Sequence, residues 1–408
     1  MENFVVSARK YRPSTFDTVV GQPSIVQTLK NAIRTQQIAQ AFLFTGPRGV
    51  GKTTCARIFA KIINCENLRP DIEPCNECES CRSFNNNTSF NIIELDAASN
   101  SQVEQMRNFI EQVRIPPQHG KFKVYIIDEV HMLSSASFNA FLKTLEEPPP
   151  FVKFILATTE KHKIIATILS RCQIYDFKRI TVDDIVNHLQ FVAQKEEVDA
   201  EPEALHVIAL KADGAMRDSL SIFDQLVTYS GKHLTYSKVI ESLNVLSYED
   251  YFGMVWHLLT GNMSEAIVLL DDIIERGFEG QSFLNGLGDH FRNLWLCKDS
   301  ASISLLEVPP ALRQLFIDQS SACSLAFLVK ALNLINQCDI NFKASNNRRL
   351  LLEITLINIC NTENPVNQAK PAPPIKPVPS PTPPSSPAPA PKTRSEERRV
   401  GKECRSRW

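Results

Sequence analysis

The chain has 408 residues, 43% of them hydrophobic, and sets 44 Lys and Arg against 45 Asp and Glu for a formal charge of −1. That length is ample for two or three domains with sizeable cores, and the balance excludes a global basic field, though not a local patch for nucleic acid. No charged-then-apolar leader and no apolar run of eighteen residues is present, so neither secretion nor a membrane span is expected, and the chain reads as cytoplasmic.

Residues 1–178 alternate strand-like apolar runs with helical patterns, which predicts an α/β fold with a largely parallel sheet. The predicted strands are Ala41–Thr45, Asn91–Asp96, Lys123–Asp128, Lys153–Thr158 and Gln173–Phe177, with helices at Val103–Val113 and Ser135–Glu146 among those between them. The first strand runs into Gly46-Pro47-Arg48-Gly49-Val50-Gly51-Lys52-Thr53-Thr54, and a helix-prone stretch, Cys55–Lys61, follows. Strand, glycine-rich loop and helix at this spacing make a phosphate cradle from backbone N–H groups and a helix N-terminus. Lys52 would reach the outer phosphates, and the Thr53 hydroxyl would hold a magnesium ion.

Of eleven cysteines, Cys65, Cys75, Cys78 and Cys81 cluster as C-x9-C-x2-C-x2-C. Four thiolates with two short spacings suit a closed, structural tetrahedral zinc site. A ferredoxin-type iron–sulfur cluster wants a fourth cysteine four residues on, where this chain has Asn85; free thiols are the remaining alternative. Further on, Val124–Ile127 is a buried-strand pattern that delivers the acid pair Asp128 and Glu129 to its carboxyl end, where ligands bind in open α/β sheets. Asp128 would help hold magnesium and Glu129 would polarise an attacking water. The letters Asp128-Glu129-Val130-His131 also match a D-E-x-H helicase box. Arg171, in Ser170-Arg171-Cys172, and Arg217, in Gly214-Ala215-Met216-Arg217-Asp218, each read in isolation as ordinary surface charges, although phosphoryl transfer needs such cations.

From about Thr181 the strand signal gives way to helical spacing, with Ile185, Leu189, Val192 and Ala193, then Leu205, Ile208, Ala209 and Ala212. A small helical domain is expected over 179–245. A second helical region is expected over 246–362, with core stripes at Ala266, Leu269, Leu270 and Ile273 and at Leu325, Leu328, Val329 and Leu332. A self-associating bundle would give the same stripes. Residues 363–393 form a linker by composition: twelve prolines fall in the twenty-seven residues from Pro365 to Pro391. The last fifteen residues, 394–408, resemble the translation of a sequencing adapter and are set aside; they carry +3, leaving −1 − 3 = −4 for the rest. The protein is then expected to continue past the linker.

Taken together, these motifs resemble the γ/τ subunit family of bacterial DNA polymerase III. The similarity starts at Ala8–Phe16 and Val19–Gln22. It continues through the phosphate loop, the cysteine insert, Leu95–Ser99, DEVHMLS, Leu145–Pro149, Ala157–Glu160 and Ile168–Cys172, to Gly214–Asp218. The resemblance implies an AAA+ clamp-loader ATPase with a P-loop domain, a helical lid (179–245) and a helical oligomerisation collar (246–362). Such a protein binds ATP, joins copies of itself and δ- and δ′-type partner subunits in a ring, and loads the sliding clamp onto primed DNA; the longer form contacts the polymerase core. It further implies Thr158 or Thr159 as first sensor, Arg217 as second sensor, and Arg171 as a finger reaching the next subunit's site. Lys10, Tyr11, Arg12 and Val20 are implied near the adenine. The δ′ relatives share the insert and the Ser-Arg-Cys but lack a working phosphate loop, so an intact Lys52 favours γ/τ. No residues read as a nucleotidyl-transfer site. The rivals are a helicase or branch-migration motor and a scaffold that nucleotide merely locks.

Overall fold

The computed structural model describes residues 5–363, other than 87, 100–102 and 118–119. Two helices, α1 (Ser7–Lys10) and α2 (Pro23–Arg34, opened by Pro23 in its first turn), lead into β1 (Ala41–Thr45). Next come α3 (Lys52–Ile63), α4 (Glu79–Asn85), β2 (Ile92–Asp96), α5 (Val103–Val113), β3 (Lys123–Asp128), α6 (Ser135–Glu146), β4 (Val152–Thr158), α7 (Ala166–Leu169) and β5 (Gln173–Asp176). The five strands pair in the order β2-β3-β4-β1-β5, every pair parallel. This is the AAA+ form of the P-loop α/β fold.

Alternation along β1 shows why the sheet is covered on both sides. Phe42 and Phe44 pack with Ile58 and Phe59 of α3 on one face, while Ala41 and Leu43 pack with Phe109 of α5 and Phe141 of α6 on the other. With both faces occupied, all five β1 residues are buried, as a crossover-connected parallel strand requires. Register aligns Thr45 with Thr158 and Asp96 with Asp128, so the chemistry-bearing strand ends lie along one edge. Local signals set the helix starts: Ser134 caps α6 by accepting from the Ser137 N–H at 3.1 Å, worth about 1 kcal/mol. The strand expectations hold to within one residue; Phe177 lies past β5, yet its N–H still donates to Thr45 O at 2.7 Å.

Beyond the sheet, α8 (Val182–Lys195), α9 (Pro202–Lys211) and α10 (Met216–Ser230) enclose their own apolar cluster, joined by Tyr236 and Val239 of α11 (Tyr236–Leu243). Ile185, Leu189, Val192 and Ala193 are all buried in it. The N-terminal segment packs on the same cluster through Ala8, Tyr11 and Val20, and the Ser7 N–H donates to Asp224 Oδ2 at 2.6 Å.

The last cluster is built by α12 (Tyr248–Thr260), α13 (Met263–Glu275), α14 (Gly280–Leu296), α15 (Arg313–Ala322), α16 (Leu325–Phe342) and α17 (Arg348–Glu363). Here one expected stripe is corrected. On α16, Leu325 and Val329 are exposed, and the buried line is Phe327, Leu328, Ala331, Ile335, Cys338 and Phe342. The helix is apolar on more than one face, and packing between α14 and α17 selects which face is buried. Among the described residues no single helix is long and apolar enough to cross a membrane. The expected linker, save Glu363 at the end of α17, and the 394–408 tail lie outside the described residues.

Candidate nucleotide site and four-cysteine centre

A cavity of about 610 Å³ opens where the β1–α3 loop meets the N-terminal segment and the start of α10. The loop can make this turn because Gly46, Gly49 and Gly51 all take positive φ, 143°, 78° and 101°, which side chains resist. At Gly49 the reason is also contact: a Cβ there would stand 2.7 Å from Ala215 Cβ. The residue just before α10 therefore rests directly on the phosphate loop, and the Arg217 N–H reaches back to Gly49 O at 3.4 Å.

One end of the cavity is polar. Lys52 is 6% exposed, and its Nζ donates to Gly46 O at 2.8 Å and Pro47 O at 2.7 Å. Burial lowers the Lys52 pKa, and the carboxylates of Glu129 and Asp128 pull it back up. Thr53 Oγ1 donates to Asp128 Oδ2 at 2.7 Å, bringing together two hard oxygen ligands of the kind magnesium takes. Glu129 sits at φ 46°, a left-handed conformation costing a non-glycine residue about 1–2 kcal/mol. Its N–H donates to Asp128 Oδ1 at 3.0 Å, and its Oε2 accepts from the Thr159 hydroxyl at 3.0 Å and the Thr159 N–H at 3.3 Å. Strain held by such bonds is typical of reacting groups. Thr158 faces elsewhere: fully buried, its Oγ1 lies 3.0 Å from His131 Nδ1 and accepts from the Glu160 N–H at 3.0 Å.

The other end is apolar. Val6, Ala8, Val19 and Val20 meet Ile180, Met216 and Leu220 there, with Tyr11 and His188 alongside. Tyr11 donates to Glu196, just past the end of α8, and its pKa is pushed up to about 12 by burial and by that carboxylate. Burial holds the His188 pKa below its ordinary value.

Most expected site residues converge. Arg48 through Thr54, Asp128, Glu129, Arg217, Tyr11, Arg12 and Val20 all line the cavity, and the Arg12 Nε–H donates to Thr54 Oγ1 at 3.2 Å. Gly46 and Pro47 stand behind it as acceptors for Lys52. Lys10 does not line the cavity in this structure: its Nζ lies 2.6 Å from Oε1 of Glu196, the residue that follows α8. Arg171 also lies outside this cavity, donating to Glu146 Oε1 at 2.7 Å and Thr167 O at 2.8 Å. Val6, Glu94, Ile180, His188 and Leu220 also line it without any functional signal in the sequence, because they come from stretches far apart in the chain.

The four cysteines meet in a buried group whose sulfurs all lie within 4.8 Å of one another. Cys65 and Cys75 are 3.5 Å apart, and Cys75 and Cys81 4.0 Å; a tetrahedron of Zn–S bonds of about 2.3 Å needs about 3.8 Å. Peptide N–H groups already point at sulfur: Cys78 N–H to Cys75 Sγ at 3.3 Å, Cys81 N–H to Cys78 Sγ at 3.4 Å and Cys75 N–H to Cys65 Sγ at 3.4 Å. Such bonds favour thiolates. Asn76, in the first short spacing, takes φ 64° and is held by the Lys61 ammonium, which also donates to Asn85 Oδ1 at 2.7 Å. Size, donor set and turn geometry all fit a zinc ion.

Comparison with known proteins gives a consistent picture. Residues 21–181 match a family model described as DNA polymerase III, delta subunit, and residues 184–232 one described as DNA polymerase III clamp loader subunit, ATPase lid domain. DNA polymerase III subunit tau of Bacillus subtilis is 39% identical over 357 residues, covering 87% of this chain and 63% of that protein. The Escherichia coli subunit tau is 41% identical over 282 residues, 69% of this chain and 44% of that protein. DNA polymerase III subunit gamma of Buchnera aphidicola is 38% identical over 282 residues, 69% of this chain and 78% of that shorter protein. The chain thus spans roughly half to two thirds of the tau relatives' length and over three quarters of the gamma relative's.

Proposed function

This chain belongs to the DNA polymerase III γ/τ subunit family, and on that footing we propose that it is an ATPase motor of a clamp loader acting in the cytoplasm. The observation that carries the reading is the convergence of Lys52, Thr53, Asp128 and Glu129 at one end of a cavity whose other end is apolar and roofed by the α8–α10 cluster. The loop N–H groups and Lys52 bind the triphosphate, Thr53 and Asp128 hold magnesium, and Glu129 orients and polarises water toward the terminal phosphate. Magnesium supplies charge neutralisation on the phosphate oxygens. Thr159 is the better candidate for the first sensor, since it bonds Glu129 directly while Thr158 is spent on His131. Arg217 is the second sensor, on the helix whose start rests on Gly49, so closing of the lid is felt at the phosphate loop.

The domain assignment follows: 1–178 as the ATPase, 179–245 as the lid and 246–362 as the collar, with 363–393 a linker. Partners on this reading are copies of the chain, δ- and δ′-type subunits, the sliding clamp, primed DNA and the polymerase core. The chain's own chemistry is ATP hydrolysis. The decisive experiment measures ATP turnover of the chain alone, with primed DNA, and with primed DNA plus clamp and both partner subunits. Strong stimulation only in the complete mixture is expected; full stimulation by DNA alone would instead favour the helicase reading.

The four cysteines are read as a structural zinc centre. Protein purified without chelator is expected to carry one zinc per chain by elemental analysis, and a metal-free preparation of folded protein would overturn this while leaving the ATPase reading intact.

A further inference from the structure

The nine residues between Cys65 and Cys75 carry a buried acid that neither the metal centre nor the hydrolytic machinery uses. Glu73 is 2% exposed. Its Oε2 accepts from the Phe16 N–H at 2.9 Å, its Oε1 accepts from the Asp17 N–H at 3.2 Å, and Lys30 Nζ lies 2.8 Å from Oε1. A carboxylate is this deeply buried only where partners satisfy it; here two of the three are backbone groups of another segment, 56 and 57 residues away in sequence. The bonded segment is a single 3-10 turn, Phe16–Thr18, followed at once by Val19 and Val20, which line the apolar end of the cavity.

The backbone around Glu73 is equally constrained. The Arg69 N–H donates to Glu73 O at 3.0 Å, Ile72 takes φ 63° with its side chain in the sheet-face core, and two residues on, the Cys75 N–H is held by Cys65 Sγ. A continuous line of bonded groups therefore runs from the cysteine centre through Glu73 to Phe16 and Asp17, and so to the Val19–Val20 wall. The wall's other end is fixed separately: Gln22 Nε2 donates to Lys178 O at 2.7 Å, and Gly21, at φ 75°, packs against Ile180.

We infer that Glu73 is a positioning residue for the base end of the nucleotide cavity, through which the four-cysteine loop sets selectivity for a nucleoside triphosphate over a bare polyphosphate. The inference rests on the nucleotide reading above. Glu73 does not touch the phosphate end, so its loss acts on contacts with the base and leaves those with the phosphates.

The test compares the full chain with Glu73→Gln, and with Lys30→Met as a second release of the same carboxylate. Calorimetric titrations with magnesium-ATP and with magnesium-tripolyphosphate are run on each, together with zinc content and a thermal melt. The expected result for both variants is ATP affinity about tenfold weaker, the scale on which one packed contact couples two sites, with tripolyphosphate affinity and zinc content unchanged. Removing the metal from the parent chain should weaken ATP binding similarly and add little to the loss in Glu73→Gln. ATP affinity within twofold of the parent in both folded variants would overturn the inference. So would an equal fall for both ligands, which marks general loosening. A parent chain that binds neither ligand would overturn the nucleotide reading, and this inference with it.

Discussion

Lys52→Ala is expected to abolish ATP turnover in the assembled complex, by about 10²-fold or more, as for removal of one preorganised charge at a reacting centre. The side chain is buried beside the phosphate loop, with its ammonium 2.8 and 2.7 Å from two loop carbonyls. Among the described residues, it is the lysine that lines the cavity. A phosphate chain in the loop offers that ammonium a stronger, fully charged acceptor than a carbonyl. Alanine removes the cation and also leaves Gly46 O and Pro47 O without the bond they make here, so the loop loses order as well as charge. The measurement is steady-state phosphate release with primed DNA, clamp and partner subunits present. Normal clamp loading by this variant would sink the assignment.

Arg171→Ala is expected to reduce turnover of the assembled complex by about 10³-fold while leaving nucleotide binding by the single chain intact. The reason is where the arginine sits. It follows the short helix α7 and bonds Glu146 and Thr167, outside its own chain's cavity. Arg217 does line that cavity, but it rides on the lid rather than on the sheet. On the proposed reading, Arg171 of an adjoining copy supplies the cation for the transferring phosphoryl, released from a partly exposed ion pair with Glu146 that costs little to break. Equal turnover of parent and variant complexes would favour the scaffold reading, in which nucleotide only locks the assembly.

The match to a delta-subunit family model covers residues 21–181, the stretch that carries the phosphate loop and the acid pair. On the proposed reading, what separates the chain from a non-hydrolysing partner is physical and local: Thr53, Asp128 and Glu129 are joined by bonds of about 3 Å, and Lys52 lines the same cavity, held by two loop carbonyls.

The sequence by itself determined the parts whose chemistry is local. Glycines at fixed offsets after the apolar run Ala41–Phe44 specify a phosphate loop, because positive φ and backbone donors are properties of a few consecutive residues. The short spacings of the four cysteines bring four thiols within reach of one another for the same reason, and alternation of strands with helices specifies a parallel sheet covered on both faces. Only the tertiary structure decided the rest. The base end of the cavity draws on residues 6–20, 180–188 and 216–220, and no periodicity within one segment announces that three segments converge. Lys10 pairs with Glu196, a carboxylate 186 residues distant. On α16, several faces are apolar enough to be buried, and the neighbouring helices choose one. Glu73 is buried because the turn whose N–H groups bond its carboxylate comes from a segment more than fifty residues away. Local propensity acts over a few residues, whereas burial and electrostatic pairing are settled between segments that meet only once the chain has folded.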